Sequence, residues 1–494
     1  MDSACRVWWS LQLFWVFPFD GFPFGRMLAA SMDEDLTQGP VPKLILRLAI
    51  PASIGFFFHT MYNAVDQVFA GKFISEDALA ALALSFPVFF FLVAINHGVY
   101  AGGVALVSNA LGEGDRDRAS TLTAQTITFS LFATLGIMVL GWYFSPALFR
   151  MLHAEPEVHA LALRYMNIIF GGTLFFLFTS VFNVPMMARG NTRVFRNSLI
   201  LGCMLNVILD PLFIFGGFGV PAMGFDGIAI ATVLIQVINT AYIGHASWRA
   251  GYLNRDTLKR LKPRAACQRE LIHYSVPAAL NMATVAIGIF VITLFVARYG
   301  MIEVAAYGVA TRIEQIALLP SIGLNIATLS ITGQNFGAKR YDRIQETVQV
   351  AFRYGFCLML AGGVLMFVFA KRLMGLFVSR HRVSNYEEVV SIGTHYLHIA
   401  ALVLFAYVIL FVCNNALQGM KRPMYAIWIG LYRQLFAPVV VIFLLTRVWG
   451  MGVEGVWWGV FIVTWSAAVF TWWYTRRVLK NYQVSEPSVD PNST

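Results

Sequence analysis

Asp66 carries the strongest chemical signal in this chain of 494 residues. It lies deep in an apolar run that begins near Leu44, and a charged side chain in mid-hydrocarbon costs roughly 3 kcal/mol on insertion scales. Such a residue is retained where it lines a polar cavity. His59, Tyr62 and Asn63 precede it at helical spacing, which puts one polar stripe on an otherwise apolar helix. A second acid, Asp210, follows Asn206 by one helical turn in another apolar run. Two carboxylates and an amide offer hard oxygen ligands to a cation such as Na⁺, or the two acids share a proton. Thr232, in the next run, adds a hydroxyl. The competing structural readings are a helix cap for Asp66, ahead of Gly71-Lys72, and a turn or kink at Asp210-Pro211.

Arg312 and Glu314 in the eighth apolar run, and Arg433 in the eleventh, are secondary candidates. With His59, Tyr62 and Asn63 they are expected on a substrate path, although Arg312 and Glu314 can also pair with each other. His395 and His398 are three apart on one face and are expected to make polar contacts between helices rather than bind metal. Five cysteines lie far apart without a CxxC, so neither a disulfide framework nor a zinc site is expected. No P-loop, HExxH, GxSxG or Rossmann glycine pattern occurs in its required context. An enzyme is not expected, nor an organic cofactor, nor an ATP-driven pump with its own nucleotide domain.

The elements that hold these residues follow from composition. Hydrophobic residues make up 58 % of the chain and charged residues 13 %, against about 25 % charged in a soluble domain. The chain is therefore an integral membrane protein, with the bilayer as its principal partner. The net charge of +10 fits Lys and Arg gathered in cytoplasmic loops, and no nucleic-acid partner is implied. A span takes about 20 apolar residues, and scanning at that length gives about twelve helices. They begin near Leu44, Leu79, Leu122, Tyr165, Ser198, Ile228, Leu271, Val304, Val348, Ile392, Tyr425 and Val453.

The two halves repeat. Ala80-Ala81, Gly98, Gly112 and Asp117-Arg118 match Ala305-Ala306, Gly323, Gly337 and Asp342-Arg343 at one constant offset. Gly224-Phe-Asp-Gly-Ile echoes Gly452-Val-Glu-Gly-Val, and Pro51 and Pro277 are expected to head the first helix of each half. The expected fold is an all-α membrane protein of twelve helices, in two six-helix lobes related by a pseudo-two-fold axis along the membrane normal. The expected organisation is an N-terminal segment 1–40, an N-lobe 41–248, a basic linker 249–270, a C-lobe 271–477 and a tail 478–494. Both termini are expected in the cytoplasm because Lys and Arg are concentrated on that side; the outer segment Lys371 to Arg382 runs against the trend. Residues before Leu36 fit neither a signal peptide nor a span, and an upstream start codon accounts for them equally well. At the positions matching Asp66 and Asp210 the second half has Val291 and the Ala437-Pro438 neighbourhood, so the ion site is expected in the first half alone.

The sequence resembles the multidrug and toxic compound extrusion (MATE) family, closest to its DinF-like branch. The resemblance rests on Thr37-Gln-Gly-Pro-Val-Pro ahead of Ala49-Ile-Pro51, and on Tyr62-Asn-Ala-Val-Asp66-Gln-Val-Phe-Ala-Gly71. It rests equally on Gly112-Glu-Gly-Asp-Arg-Asp-Arg118, Asn206-Val-Ile-Leu-Asp210-Pro211 and Gly333-Gln-Asn-Phe-Gly337-Ala-Lys-Arg-Tyr-Asp-Arg343. It implies export of small organic cations by H⁺ or Na⁺ antiport across the cell inner membrane, by a monomer. It implies that Asp66, Asn206 and Asp210 form the cation or proton site, with Thr232 beside them. The NorM-like branch uses acids of the second lobe, including one in the tenth helix; Glu387 and Glu388 stand only near the outer end of that helix. Two rivals are a lipid-linked oligosaccharide flippase of the same superfamily, which predicts a cleft lined by Arg and Lys, and a membrane-embedded transferase.

Overall fold

Helices account for nearly all of the membrane-spanning chain, because in hydrocarbon a helix satisfies its own backbone N–H and C=O groups. The computed structural model describes residues 35–151, 155–378 and 385–485, and 12 helices long and apolar enough to span a bilayer lie within them. In the first half these are α1 (Val41–Phe69), α2 (Glu76–Gly112), α3 (Arg116–Met151), α4 (Pro156–Ala188), α5 (Arg193–Phe215) and α6 (Phe225–Arg249). In the second they are α7 (Ala265–Val296), α8 (Met301–Gly337), α9 (Tyr341–Phe377), α10 (Tyr386–Gly419), α11 (Met424–Val448) and α12 (Glu454–Ser485). The protein is a multi-pass membrane protein with a two-lobe, twelve-helix fold.

Most helices begin several residues earlier than the apolar runs suggest, because polar first turns extend beyond the hydrocarbon. Pro51 and Pro277 do not head their helices: both lie inside, in α1 and α7. Each removes a backbone donor from the ladder and marks a place where the helix bends readily. The stretch 249–270 contains a short helix, Arg255–Lys259, and its last residues already belong to α7. Likewise α12 continues past residue 478. Three local departures from α geometry are functional pointers. α1 runs on as a π-helical turn over Ala70–Ile74, and α11 contains π-helical turns at Tyr432–Phe436 and Leu444–Val448. Residues 1–34, and 379–382 at the end of the basic outer segment, lie outside the described residues.

The start of α1 and the ends of α2, α4, α8, α10 and α12 gather at one face, here termed the terminal face. There the Leu36 N–H donates to Gln334 Oε1 at 2.9 Å, and Gln334 Nε2 donates to the Ala188 carbonyl at 2.6 Å. Asn109 Nδ2 donates to the Gly419 carbonyl at 3.0 Å. The lobes touch through small residues. A Cβ on Gly98 would come within 2.5 Å of the Ser275 carbonyl and also strike Ala279, while one on Gly323 would overlap Ala49 and Ser53. These are the same contact made twice, once in each direction, as a two-fold relation between the repeats requires. The Gly112 and Gly337 crossing is reciprocal too: a Cβ on Gly112 would overlap the Gln334 carbonyl, and one on Gly337 the Asn109 carbonyl.

Among the described residues, the lobes share apolar cores toward this face. One cluster joins Ala101, Val104 and Leu106 of α2 to Leu271, Tyr274 and Ala278 of α7, and another seats Val41, Leu44, Ile45 and Leu48 of α1 against the C-lobe. Toward the opposite face the main N-lobe core, which includes Val88, Phe149, Phe170 and Phe225, has no C-lobe member among the described residues.

Candidate cation-binding site

Three helices of the N-lobe bring the sequence candidates together. α1 supplies Tyr62 and Asp66, α5 supplies Asn206 and Asp210, and α6 supplies Thr232; all five are buried, with Asn206 and Asp210 at 0 % exposure. Asn206 Nδ2 donates to Asp66 Oδ1 at 2.7 Å. Asp210 lies within electrostatic reach of Asp66, yet neither Asp210 oxygen completes a hydrogen bond. The Asn206 amide oxygen, the Thr232 hydroxyl and the Tyr62 phenol are also buried without partners, although Tyr62 and Thr232 face one another closely. Buried polar atoms are nearly always hydrogen-bonded, and each exception calls for an explanation. Here the orphan atoms belong to residues that converge on one spot. Five oxygens and a polarised amide at one spot are a ligand set for a small hard cation or for a shared proton.

The structural readings of the two acids do not hold. Asp66 does not cap α1: the helix continues past it, and the Ala70 N–H bonds back to the Asp66 carbonyl. Asp210-Pro211 is not a turn, since α5 runs unbroken to Phe215. Pro211 leaves one carbonyl of the preceding turn without its usual donor. The polar stripe on α1, by contrast, is split. Tyr62 and Asp66 are buried, whereas His59 and Asn63 are exposed, His59 stacking on the Tyr62 ring at 6.3 Å and Asn63 donating to the His59 carbonyl at 3.0 Å. Sequence reasoning missed Tyr165 of α4, a buried phenol within electrostatic reach of both acids. No spacing pattern links it to them.

The second lobe has a buried acid of its own. Glu314 does not pair with Arg312, which is exposed. Instead the Tyr396 O–H of α10 donates to Glu314 Oε2 at 2.6 Å. Tyr396 packs edge-on against Tyr307 and Trp457, with centroids 5.4 and 5.0 Å away. Arg433, in the first π-helical turn of α11, lies over the Tyr407 ring at 5.2 Å and within electrostatic reach of Glu314. Val291 and the Ala437-Pro438 region hold no counterpart of Asp66 or Asp210, so the two lobes place their acids at different positions. His395 and His398 do not converge: His395 Nδ1 lies 3.0 Å from Glu454 Oε1, and His398 packs on Phe367 at 4.3 Å. Among the described residues, no group of three or more His, Cys, Asp or Glu could hold a metal ion.

Twelve spanning helices in two quasi-equivalent lobes, closed against each other at one face and holding buried acids within their helices, define a membrane transporter rather than an enzyme. A family model described as MatE matches residues 51–212 and 277–443, one stretch in each lobe. The chain belongs to the MatE family. Among its relatives is a probable multidrug resistance protein, YoeA of Bacillus subtilis, 26 % identical over 67 % of this chain and 72 % of that protein. The probable multidrug resistance protein NorM of Thermotoga maritima is 23 % identical over 85 % and 89 %. An FAD transporter of Shewanella oneidensis is 26 % identical over 81 % and 86 %. In fold, the chain is similar to a MOP superfamily transporter from Pyrococcus furiosus, with a TM-score of 0.84 at 24 % identity over 91 % of this chain and 98 % of that one.

Proposed function

We propose that the protein is a secondary multidrug exporter of the cell inner membrane, coupling inward movement of H⁺ or Na⁺ to outward movement of small organic cations. The carrying observation is the convergence of Asp66, Asn206 and Asp210, with both oxygens of a fully buried Asp210 unpartnered. That arrangement is unstable as an empty charged pair and stable with a bound cation or a proton. The same residues support placement in the DinF-like branch of the family.

In this reading the terminal face is cytoplasmic, as the basic character of its loops supports. The lobes are then closed toward the cytoplasm and parted toward the outside. An ion arriving from outside occupies Asp66 and Asp210 and draws α1 and α5 together. Pro51 lets the outer part of α1 shift while its first turns stay packed on the C-lobe. An organic cation competes for the same carboxylates and for the Tyr62 face through cation–π contact. Antiport needs no more than this, two ligands that oppositely bias one two-state element.

The test is efflux of a fluorescent organic cation from vesicles holding the purified protein, under a Na⁺ gradient and a pH gradient imposed separately. Gradient-driven efflux is expected. A flavin dinucleotide arm belongs in the assay because one relative is an FAD transporter. No cation efflux under either gradient overturns the reading and favours a lipid-linked substrate.

A further inference from the structure

On the flank of the molecule, where α1 and α5 of the N-lobe meet α9 of the C-lobe, lies a cleft of about 840 Å³. Its polar lining consists of Lys43, Arg47, Arg193 and Arg196 with Tyr354, and no lining residue is acidic. Lys43 and Arg47 are one turn apart on α1, and Arg193 and Arg196 are one turn apart on α5. Like charges at that spacing oppose each other.

The placement runs against helix electrostatics as well. All four cations sit in the opening turns of α1 and α5, and neither helix has an acidic residue in its first turn. Helix N-termini carry partial positive charge and unpaired backbone N–H groups, so they favour anions and disfavour cations. Neither α1 nor α5 has a side-chain cap. A concentration of charge in cytoplasmic loops asks only that cations be on this side. It does not ask that four of them converge on the first turns of two helices within one site, and an anion bound there compensates the four cations.

The wall of the cleft identifies which anion. Leu46 and Ile50 also line it and are 39 % and 53 % exposed. They follow Lys43 along α1 by about one and two turns. A site with cations at the membrane surface and an apolar wall running inward fits a molecule with an anionic head and acyl chains.

We infer that this cleft is a binding site for a phosphate-bearing lipid, whose headgroup is held by Lys43, Arg47, Arg193 and Arg196 and whose chains lie on Leu46 and Ile50. The site is distinct from the Asp66–Asp210 cluster and does not depend on which substrate is transported. Bound there, the lipid bridges α1 and α5 to α9 and so favours the arrangement in which the lobes are closed at the terminal face.

The test is thermal unfolding of the purified full chain in detergent micelles doped with phosphatidylglycerol, with phosphatidylcholine, or with inorganic phosphate and no added lipid. The midpoint is expected to rise with phosphatidylglycerol and to stay level with phosphatidylcholine. The variant Lys43→Gln/Arg193→Gln should need about thirtyfold more phosphatidylglycerol for the same rise, the fold-change that two surface cations at about 1 kcal/mol each imply. Lys259→Gln, whose cation on the short linker helix pairs with Asp256, should behave as the unmodified protein. Equal response to both lipids, or an unchanged response in the double variant, overturns the inference. A full response to inorganic phosphate alone overturns the lipid and assigns the site to a free anion. Should the double variant fail to fold, the single variants Lys43→Gln and Arg193→Gln are compared instead, each expected to need about fivefold more phosphatidylglycerol, and an unchanged response in both overturns the inference.

Discussion

Asn206 on α5 holds Asp66 on α1 through a 2.7 Å hydrogen bond between two buried side chains 140 positions apart. The bond uses one Asp66 oxygen and leaves the Asn206 carbonyl oxygen facing the same space without a partner. The amide thus fixes the acid's orientation while still offering a ligand. Replacing it by Ala takes a donor from a buried carboxyl, which costs about 1.5–3 kcal/mol when the acceptor is charged. Asn206→Ala is expected to lower the unfolding midpoint in Na⁺-free buffer at alkaline pH, where Asp66 is most dependent on its donor. Calorimetry against pH checks this; a variant as stable as the parent across the series would contradict the assigned role.

Closure of the terminal face depends on contacts of unequal strength. Glu113 accepts from Arg118 at 2.7 Å and from Lys421 at 3.2 Å, but all three side chains are partly exposed, and exposed ion pairs contribute about 0–1 kcal/mol. Gln334 is buried, and losing it strands the Leu36 N–H and the Ala188 carbonyl, at about 1–3 kcal/mol for each group. Gln334→Ala is therefore expected to loosen the face far more than Glu113→Gln. The readout is thiol labelling of Ser108→Cys in a background lacking the other cysteines, since Ser108 is 0 % exposed. Faster labelling is expected with Gln334→Ala and little change with Glu113→Gln.

The reciprocal glycine crossing gives a sharper version. A side chain on Gly337 must displace the α2 backbone at Asn109, not a flexible side chain. Overpacking of this kind costs about 1–3 kcal/mol. Gly337→Val and Gly112→Val are expected to have nearly equal effects on labelling at position 108, because the two contacts are related by the internal two-fold. Markedly unequal effects would mean that the symmetry of the backbone is not a symmetry of the energetics.

In the C-lobe, Glu314 and Tyr396 are expected to be thermodynamically coupled. Tyr396→Phe leaves the carboxyl without its 2.6 Å donor and is expected to cost about 1.5–3 kcal/mol if Glu314 is ionised. In a double-mutant cycle with Glu314→Gln the two losses should fall short of additive by 0.5 kcal/mol or more, on the order expected for contacting residues. Additive losses would show that the hydrogen bond is incidental to stability.

What was legible in the sequence is what a single helix records about itself. Apolar run length marked every spanning helix, and isolated acids in those runs marked Asp66 and Asp210, because a carboxyl in hydrocarbon has few explanations. The one-turn spacing of Asn206 and Asp210 put both on one face, and the structure brings that face to α1. The polar stripe was only half right, since period alone cannot distinguish the buried flank of Tyr62 and Asp66 from the exposed flank of His59 and Asn63. Relations between distant helices left no trace in spacing. Glu314 meets Tyr396 rather than its neighbour Arg312, Tyr165 joins the acid pair from α4, and Lys43 and Arg47 meet Arg193 and Arg196 only once α1 packs on α5. Pro51 and Pro277 misled because a proline is read as a helix boundary, while both helices continue through it.

The central claim is that Asp66 and Asp210 form the coupling site and that the Glu314 cluster does not replace it. The most direct test is gradient-driven efflux of an organic cation from vesicles containing Asp66→Asn, Asp210→Asn or Glu314→Gln, each matched to the parent protein for amount and folding. Loss of gradient-driven efflux in both aspartate variants, with dependence on the ion gradient retained in Glu314→Gln, is the predicted result. Full ion-coupled efflux in Asp66→Asn would contradict it.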